Sequence, residues 1–294
     1  MWRKILVGII LSLLFAVPAL SFSISPVRFF ITGDPAGIET VKINISNTEA
    51  RDLVFRPVVY GVRQGNGGQP VFEKNIDVAE SWVKPEMATL AVASGNKGVM
   101  RFEIKIPRGV PPGSHYLGLG VEPVNDAVGN IGVMTRALSL LTIQVSGVAY
   151  EVLQVEKFEH IAARVGEPNW LFDLTLTNKG NVEVNATGDA KVLDWRGNEI
   201  TTQPIFSSAR IISGASKMSD FNIDAAGRGF WPGLYQVQVK VGYGITKQNV
   251  ISLIYVWYLP VWSLVVVGIL FLIFIGSVVF LARRYQMKKI MARL

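Results

Sequence analysis

Cysteine is absent from these 294 residues, and histidine occurs only as His115 and His160. Without thiols the chain has no disulfide framework, no thiol nucleophile, no zinc–thiolate site and no iron–sulfur cluster. The two histidines sit in no metal-ligand spacing with each other or with an acidic cluster. No Gly-x-Ser-x-Gly elbow, Walker loop or His-Glu-x-x-His element occurs. Gly65–Gly68 is rich in glycine but lacks the Lys-Ser/Thr of a phosphate loop, and it reads as a hairpin tip. With no nucleophile, base and orienter assembled, the sequence predicts a protein that is not an enzyme and carries no cofactor.

Acidic residues are missing from both ends, Met1–Ser21 and Leu259–Leu294, while Arg3, Lys4, Arg283, Arg284, Lys288, Lys289 and Arg293 lie there. Those seven cations account for the net charge of +7, leaving 22 basic against 22 acidic residues elsewhere. A neutral body has no field with which to gather phosphate backbones, so nucleic acid is not an expected partner. The basic excess reports topology instead.

Val261–Ala282 carries no charged side chain. As a helix it is about 33 Å long, enough to cross a hydrocarbon layer of about 30 Å. Trp257, Tyr258 and Trp262 cluster at its start, where amphipathic rings favour the headgroup level, and Arg283 and Arg284 follow its end. The positive-inside bias predicts a single-pass protein of the cell membrane, with a cytoplasmic tail and everything before Trp257 outside. At the other end, Arg3 and Lys4 precede an apolar run, Ile5–Leu20, and Ala19-Leu20-Ser21 supplies small residues for cleavage. That pattern predicts a signal peptide over residues 1–21.

Between these segments, period-two alternation replaces helical periodicity. Val41, Ile43 and Ile45 alternate with polar residues; so do Met100, Phe102, Ile104 and Ile106, then Phe172, Leu174 and Leu176, then Tyr235, Val237, Val239 and Val241. Each row puts one face in a core and the other in water. Turn chemistry at Gly33-Asp34-Pro35, Pro111-Pro112-Gly113 and Arg196-Gly197-Asn198 separates the strands. The expected fold is all-β: two tandem immunoglobulin-like sandwiches, 22–147 and 148–256, then a transmembrane helix at 257–282 and a basic tail at 283–294. Both halves repeat an asparagine at a strand end, Asn47 and Asn178, and a late Pro-Gly strand start leading to Tyr116 and Tyr235.

Trp82, outside strict alternation, and Tyr116 are the candidate ligand-contacting residues, with Trp82 as a flat face for a sugar or, alternatively, a plug over one end of the sandwich. Trp195 and Trp231 offer further flat faces, whereas Trp170 reads as core. Leu53–Arg63 is long and apolar but holds Pro57, which marks an edge or a bulge. Such an edge could accept a strand from another chain.

The opening Ser25-Pro26-Val27, the strand Thr40–Asn47, and Val99–Tyr116 leading into Leu117-Gly118 resemble the WxL-interacting proteins of Gram-positive bacteria. That family places a signal peptide before two immunoglobulin-like domains, a membrane helix and a short basic tail. This chain departs from its Pro/Ala-Gly-x-Tyr-x-Gly element by one extra residue, with Ser114 and His115 between the glycine and Tyr116. The resemblance implies a non-catalytic surface module that binds cell-wall polymer, peptidoglycan in particular, or surface proteins. The alternative expectation is a membrane-tethered assembly factor resembling the pilus chaperones, which would lend a strand edge to an exported subunit. Arg28 and Lys105 are its candidate anchor cations.

Overall fold

The computed structural model describes residues 22–124, 135–161, 167–225 and 230–291, with side chains to Tyr285 in the last stretch. The expected signal peptide lies outside the described residues. The fold is all-β, two immunoglobulin-like sandwiches followed by one apolar helix. The chain divides into two compact units, one holding residues up to Ala149 and the other Tyr150 onward together with the hairpin tip Gln64–Gln69.

The first unit contains β1 (Phe22–Ser25), β2 (Arg28–Gly33), β3 (Ile38–Asn47), β4 (Leu53–Gln64) and β5 (Pro70–Glu73). A short 3-10 helix, Val78–Trp82, leads into β6 (Val83–Pro85), β7 (Leu90–Val92), β8 (Lys97–Lys105), β9 (Gly113–Pro123) and β10 (Ala137–Val145). One sheet has the order β1-β3-β8-β6; the other is β2-β10-β9-β4-β5, with β7 also on β4. The alternation read in the sequence becomes burial: Ile43, Ile45, Met100, Phe102 and Ile104 are fully buried, while their polar neighbours Lys42 and Asn44 face solvent. Against them pack Phe55, Leu117, Leu119, Leu141 and Ile143 from the second sheet. Each such side chain contributes about 1.5–3 kcal/mol by leaving water, which lets a core without disulfides hold.

The chain changes sheets at its start. β1 runs antiparallel to β3, then Pro26-Val27 passes the backbone across and β2 runs parallel to β10, from Arg28↔Leu140 to Gly33↔Val145. β9 lies mid-sheet and is buried on both faces, which explains why Ser114–Glu122 shows no alternation.

Pro57 lies in an interior strand, with β9 on one side and β5 and β7 on the other. Val124 N donates to Val54 O, so Val54 faces β9 and Pro57, three residues on, faces away from it. On that away side, which β5 also borders, β7 pairs Leu53–Phe55 and stops short of Pro57. The proline therefore removes no hydrogen bond to β9.

The second unit contains β11 (Leu153–Ile161), β12 (Asn169–Asn178), β13 (Val184–Leu193), β14 (Glu199–Ile211), β15 (Ser216–Asp224), β16 (Gly233–Tyr243) and β17 (Gln248–Tyr258). They form sheets β11-β12-β15 and β14-β13-β16-β17 around a core that includes Trp170, Phe172, Val237 and Val239. After Pro260 the helix α1 runs Val261–Met291, and its Val261–Tyr285 stretch is long and apolar enough to cross a membrane.

The junction corrects the expected boundary at residue 257. β17 continues through Trp257 and Tyr258, so both belong to the sandwich, and the helix starts at Val261. Tyr258 is buried, with its ring 5.8 Å from that of Trp170. It is a core residue and not a headgroup anchor.

Candidate functional site

The two residues expected to touch ligand are both buried. Trp82 ends the 3-10 helix and packs into the first core at 4% exposure, its ring edge-on to His115 with centroids 4.6 Å apart. The plug reading fits this position and the stacking platform does not, because no face of the indole is open to a sugar. Tyr116 is buried in β9. Its neighbour Leu117 joins the first core, so Tyr116 points to the opposite face of the sheet.

What fixes Trp82 is a capping box legible in Asp77-Val78-Ala79-Glu80. Asp77 Oδ1 accepts from Ala79 N at 2.9 Å, and the Glu80 carboxylate accepts from Asn75 N, Ile76 N and Asp77 N. Asp77 Oδ1 also lies 3.0 Å from His115 Nδ1. Burial opposes the Asp77 charge, but the bonds from His115 and the Ala79 amide outweigh it and hold the carboxyl below its ordinary value. A shallow concavity of about 590 Å³ lies beside this turn, lined by Val59, Lys74 and Asp77 among others. The carboxylates in its lining, Asp77 and Glu80, are committed to the cap, and the Asp77–His115 pair is a structural clamp holding the turn against β9. Among the described residues no group of three or more His, Asp or Glu could hold a metal ion.

A second polar cluster spans β4, β9 and the start of β10. Glu122 is buried, and its carboxylate accepts from Arg56 Nε at 2.5 Å and from Arg136 Nε at 2.7 Å. The Arg136 guanidinium also lies over the Tyr60 ring, 5.5 Å from its centroid. Burial pushes against ionisation of Glu122, and the two arginine bonds prevail, keeping its pKa below the usual carboxylate value. Nothing in the sequence joins Arg56 to Glu122; only the antiparallel register Arg56↔Glu122 does.

One rim of the first unit is β2, an end strand of its sheet. Val27 O accepts from Leu140 N and Gly33 O accepts from Ser146 N. Odd-numbered residues of β2 therefore face β10, and the amides and carbonyls of Phe30 and Thr32 point outward. Phe30 is 65% exposed and Val27 beside it is exposed as well. β10 extends beyond this cover, since Ala137–Ser139 take β9 as their partner in register before the β2 pairing begins at Leu140. Of the candidate anchor cations, Arg28 sits on this rim and donates to the buried Thr142 Oγ1 at 3.3 Å. Lys105 ends β8 in the other sheet and pairs with Glu103.

At the helix end, Trp257 and Trp262 are exposed, as the anchor reading requires, and Arg283 and Arg284 follow on α1. Trp195 and Trp231 are exposed as well, whereas Trp170 is core.

No protein-family model matches the chain, and no curated protein matches it. Solved structures do match over much of its length. The class 5 fimbriae chaperone CfaA is 12% identical and covers 79% of this chain and 98% of its own, with a TM-score of 0.45. A chaperone–tip adhesin complex of CFA/I fimbriae biogenesis gives the same figures. The E. coli chaperone DraB is 14% identical over 81% of this chain and 97% of its own, with a TM-score of 0.37. At these identities and scores the likenesses carry no functional argument.

Proposed function

We propose that this chain is a membrane-tethered, non-catalytic assembly factor that holds an exported polypeptide by strand addition at the β2–β10 rim of its first sandwich. The observation that carries the reading is the outward row of β2: backbone groups of Phe30 and Thr32 facing away from β10, with an exposed phenylalanine among them. An open strand edge is a template for another strand, and an apolar side chain on it adds affinity and register to the backbone bonds. β2 is also short and parallel to its neighbour, the weaker of the two pairing modes, so an incoming strand can extend it or take its place on β10. The apolar helix α1 supplies the membrane tether.

The test is a photocrosslinking amino acid at Phe30 in the full chain, in cells that produce it, with and without Thr32→Pro. Proline at 32 deletes an outward donor while leaving the β10 pairing intact. Crosslinking to an exported polypeptide that Thr32→Pro reduces at least about tenfold supports the reading, a loss equivalent to about 1.4 kcal/mol. Crosslinks indifferent to Thr32→Pro, or none, overturn it. Sedimentation of the full chain with insoluble peptidoglycan under the same conditions would favour the WxL-interacting resemblance instead.

A further inference from the structure

We infer that the end of the second sandwich from which α1 departs is a lipid-docking surface, seated in the headgroup layer by Trp195, Trp231, Trp257 and Trp262. The inference rests on the membrane-tether reading of α1 and adds a second contact with the bilayer, made by the β-sandwich itself.

The distribution of tryptophan is the first argument. Of the six tryptophans among the described residues, Trp82 and Trp170 are core, at 4% and 2% exposure. The other four, Trp195, Trp231, Trp257 and Trp262, are 69%, 71%, 67% and 52% exposed. All four lie at one end. Register places Leu193 opposite Gln236, Leu234 opposite Trp257, and Gly233 opposite Tyr258, so the β13–β14 turn, the start of β16 and the end of β17 share that end. A Cβ added at Gly233 would lie 3.8 Å from Trp195 Cδ1, which puts the Trp195 ring over the first residue of β16. The Trp231 and Trp262 rings meet edge to face at 6.4 Å, linking the sandwich to the first turn of α1.

The second argument is that two of these indoles are held out by rigid backbone. Asp194 Oδ1 accepts from the amides of Arg196 and Asn198, each at 2.8 Å, and its other oxygen accepts from Asn198 Nδ2 at 3.0 Å, locking the turn that presents Trp195. Tyr235 Oη accepts from Trp231 N and donates to Trp231 O, both at 2.8 Å, pinning the peptide of Trp231. Water-facing proteins do not gather exposed indoles on rigid turns at one end without an occupant. Indole rings partition to the membrane interface, where the ring is sheltered and the N–H stays wet. The Arg196 guanidinium lies 4.5 Å from the Trp195 ring centroid, a pairing suited to a lipid phosphate above and the acyl boundary below. Continuity selects lipid as the occupant, since the apolar helix begins at Val261, directly after β17 and Pro260.

The full chain, grown with 5-fluorotryptophan and reconstituted in nanodiscs of phosphatidylcholine and phosphatidylglycerol, reports each indole by fluorine NMR, assigned by single Trp→Phe variants. Relaxation is compared between a headgroup-nitroxide lipid and a soluble nickel chelate. The inference expects Trp195, Trp231, Trp257 and Trp262 to be broadened several-fold by the lipid nitroxide, and Trp82 and Trp170 by neither agent. Trp262 broadened by lipid with Trp195 and Trp231 broadened only by the chelate would overturn docking while leaving the tether standing. Trp195 and Trp231 shielded from both agents would overturn it in favour of a protein contact, such as a second copy. Trp262 untouched by the lipid nitroxide would sink tether and docking together.

Discussion

Asn47 in the first sandwich and Asn178 in the second are fully buried and make the same bonds. Asn47 Nδ2 donates to Arg51 O and Val92 O, and its Oδ1 accepts from Glu49 N. Asn178 Nδ2 donates to Val182 O and Ile211 O, and its Oδ1 accepts from Gly180 N. Each thus closes the turn after its strand through residues two and four positions on, and ties that turn to the strand leading into the next hairpin. The tyrosines behave otherwise. Tyr235 follows Gly233 by two residues and joins the second core, whereas Tyr116 follows Gly113 by three and takes the opposite face. One added residue in a period-two strand inverts every side chain that follows it. The pair of sandwiches therefore shares its buried polar lock while the late strand has been re-aimed.

The largest expected effects come from breaking the shared lock. Asn47→Ala and Asn178→Ala should each destabilise their own unit by about 3–5 kcal/mol, since each removes three buried hydrogen bonds and orphans their partners. Denaturant titration of the full chain in detergent, followed by fluorine signals from Trp82 for the first unit and Trp170 for the second, separates the two losses. Equal losses confined to the mutated unit sustain the equivalence. A loss below about 1 kcal/mol at either site would break it.

A smaller effect should separate the units, because the buried ion cluster of Glu122 belongs to the first. Replacing both Arg56 and Arg136 by alanine leaves a buried carboxylate uncompensated and should cost about 3 kcal/mol, visible at Trp82 and not at Trp170. Either replacement alone should cost much less, because the other half-exposed arginine still reaches the carboxylate. Since the folded pKa of Glu122 lies below its unfolded value of about 4.5, its stabilisation is present above that pH and is lost as pH falls through the folded value. Glu122→Gln in the same titration should flatten that acid limb.

Which of these features the sequence disclosed follows from the range of the interactions. Alternation in β3, β8, β12 and β16 exposed the strands because each carries mostly polar side chains on the face away from the core. β9 hid itself by burying both faces. The asparagine lock was visible as a strand-end asparagine, although its carbonyl partners Val92 and Ile211 were not. For Trp82 the sequence allows a platform or a plug, and the capping box Asp77 to Glu80 decides for the plug, because that spacing marks a helical turn and so a packed ring. Counting apolar residues back from the helix overruns the strand and carries Tyr258 into the membrane, whereas continuing the alternation from Ile254 through Val256 places it on the core face. The Arg56–Glu122–Arg136 cluster had no local signal at all, being assembled by register between distant strands.

The smallest expected difference between the units concerns mild acid. His160 in β11 lies with its ring 5.2 Å from that of Phe172, and burial holds its pKa below the ordinary 6.5. The unfolded chain then takes up a proton that the folded one refuses. Stability contributed by the neutral ring is complete above about pH 6.5 and declines as pH falls from there to the folded value. The depressed groups of the first unit, Glu122, Asp77 and Glu73, are carboxylates, so their losses fall at lower pH. Between pH 7.5 and 5.5 the Trp170 signal should therefore shift to lower denaturant while the shift at Trp82 stays smaller, and His160→Gln should abolish the difference. A second unit that holds its midpoint across this window would show that the imidazole reaches water in the folded state, and the contrast between the units would then rest on their carboxylates alone.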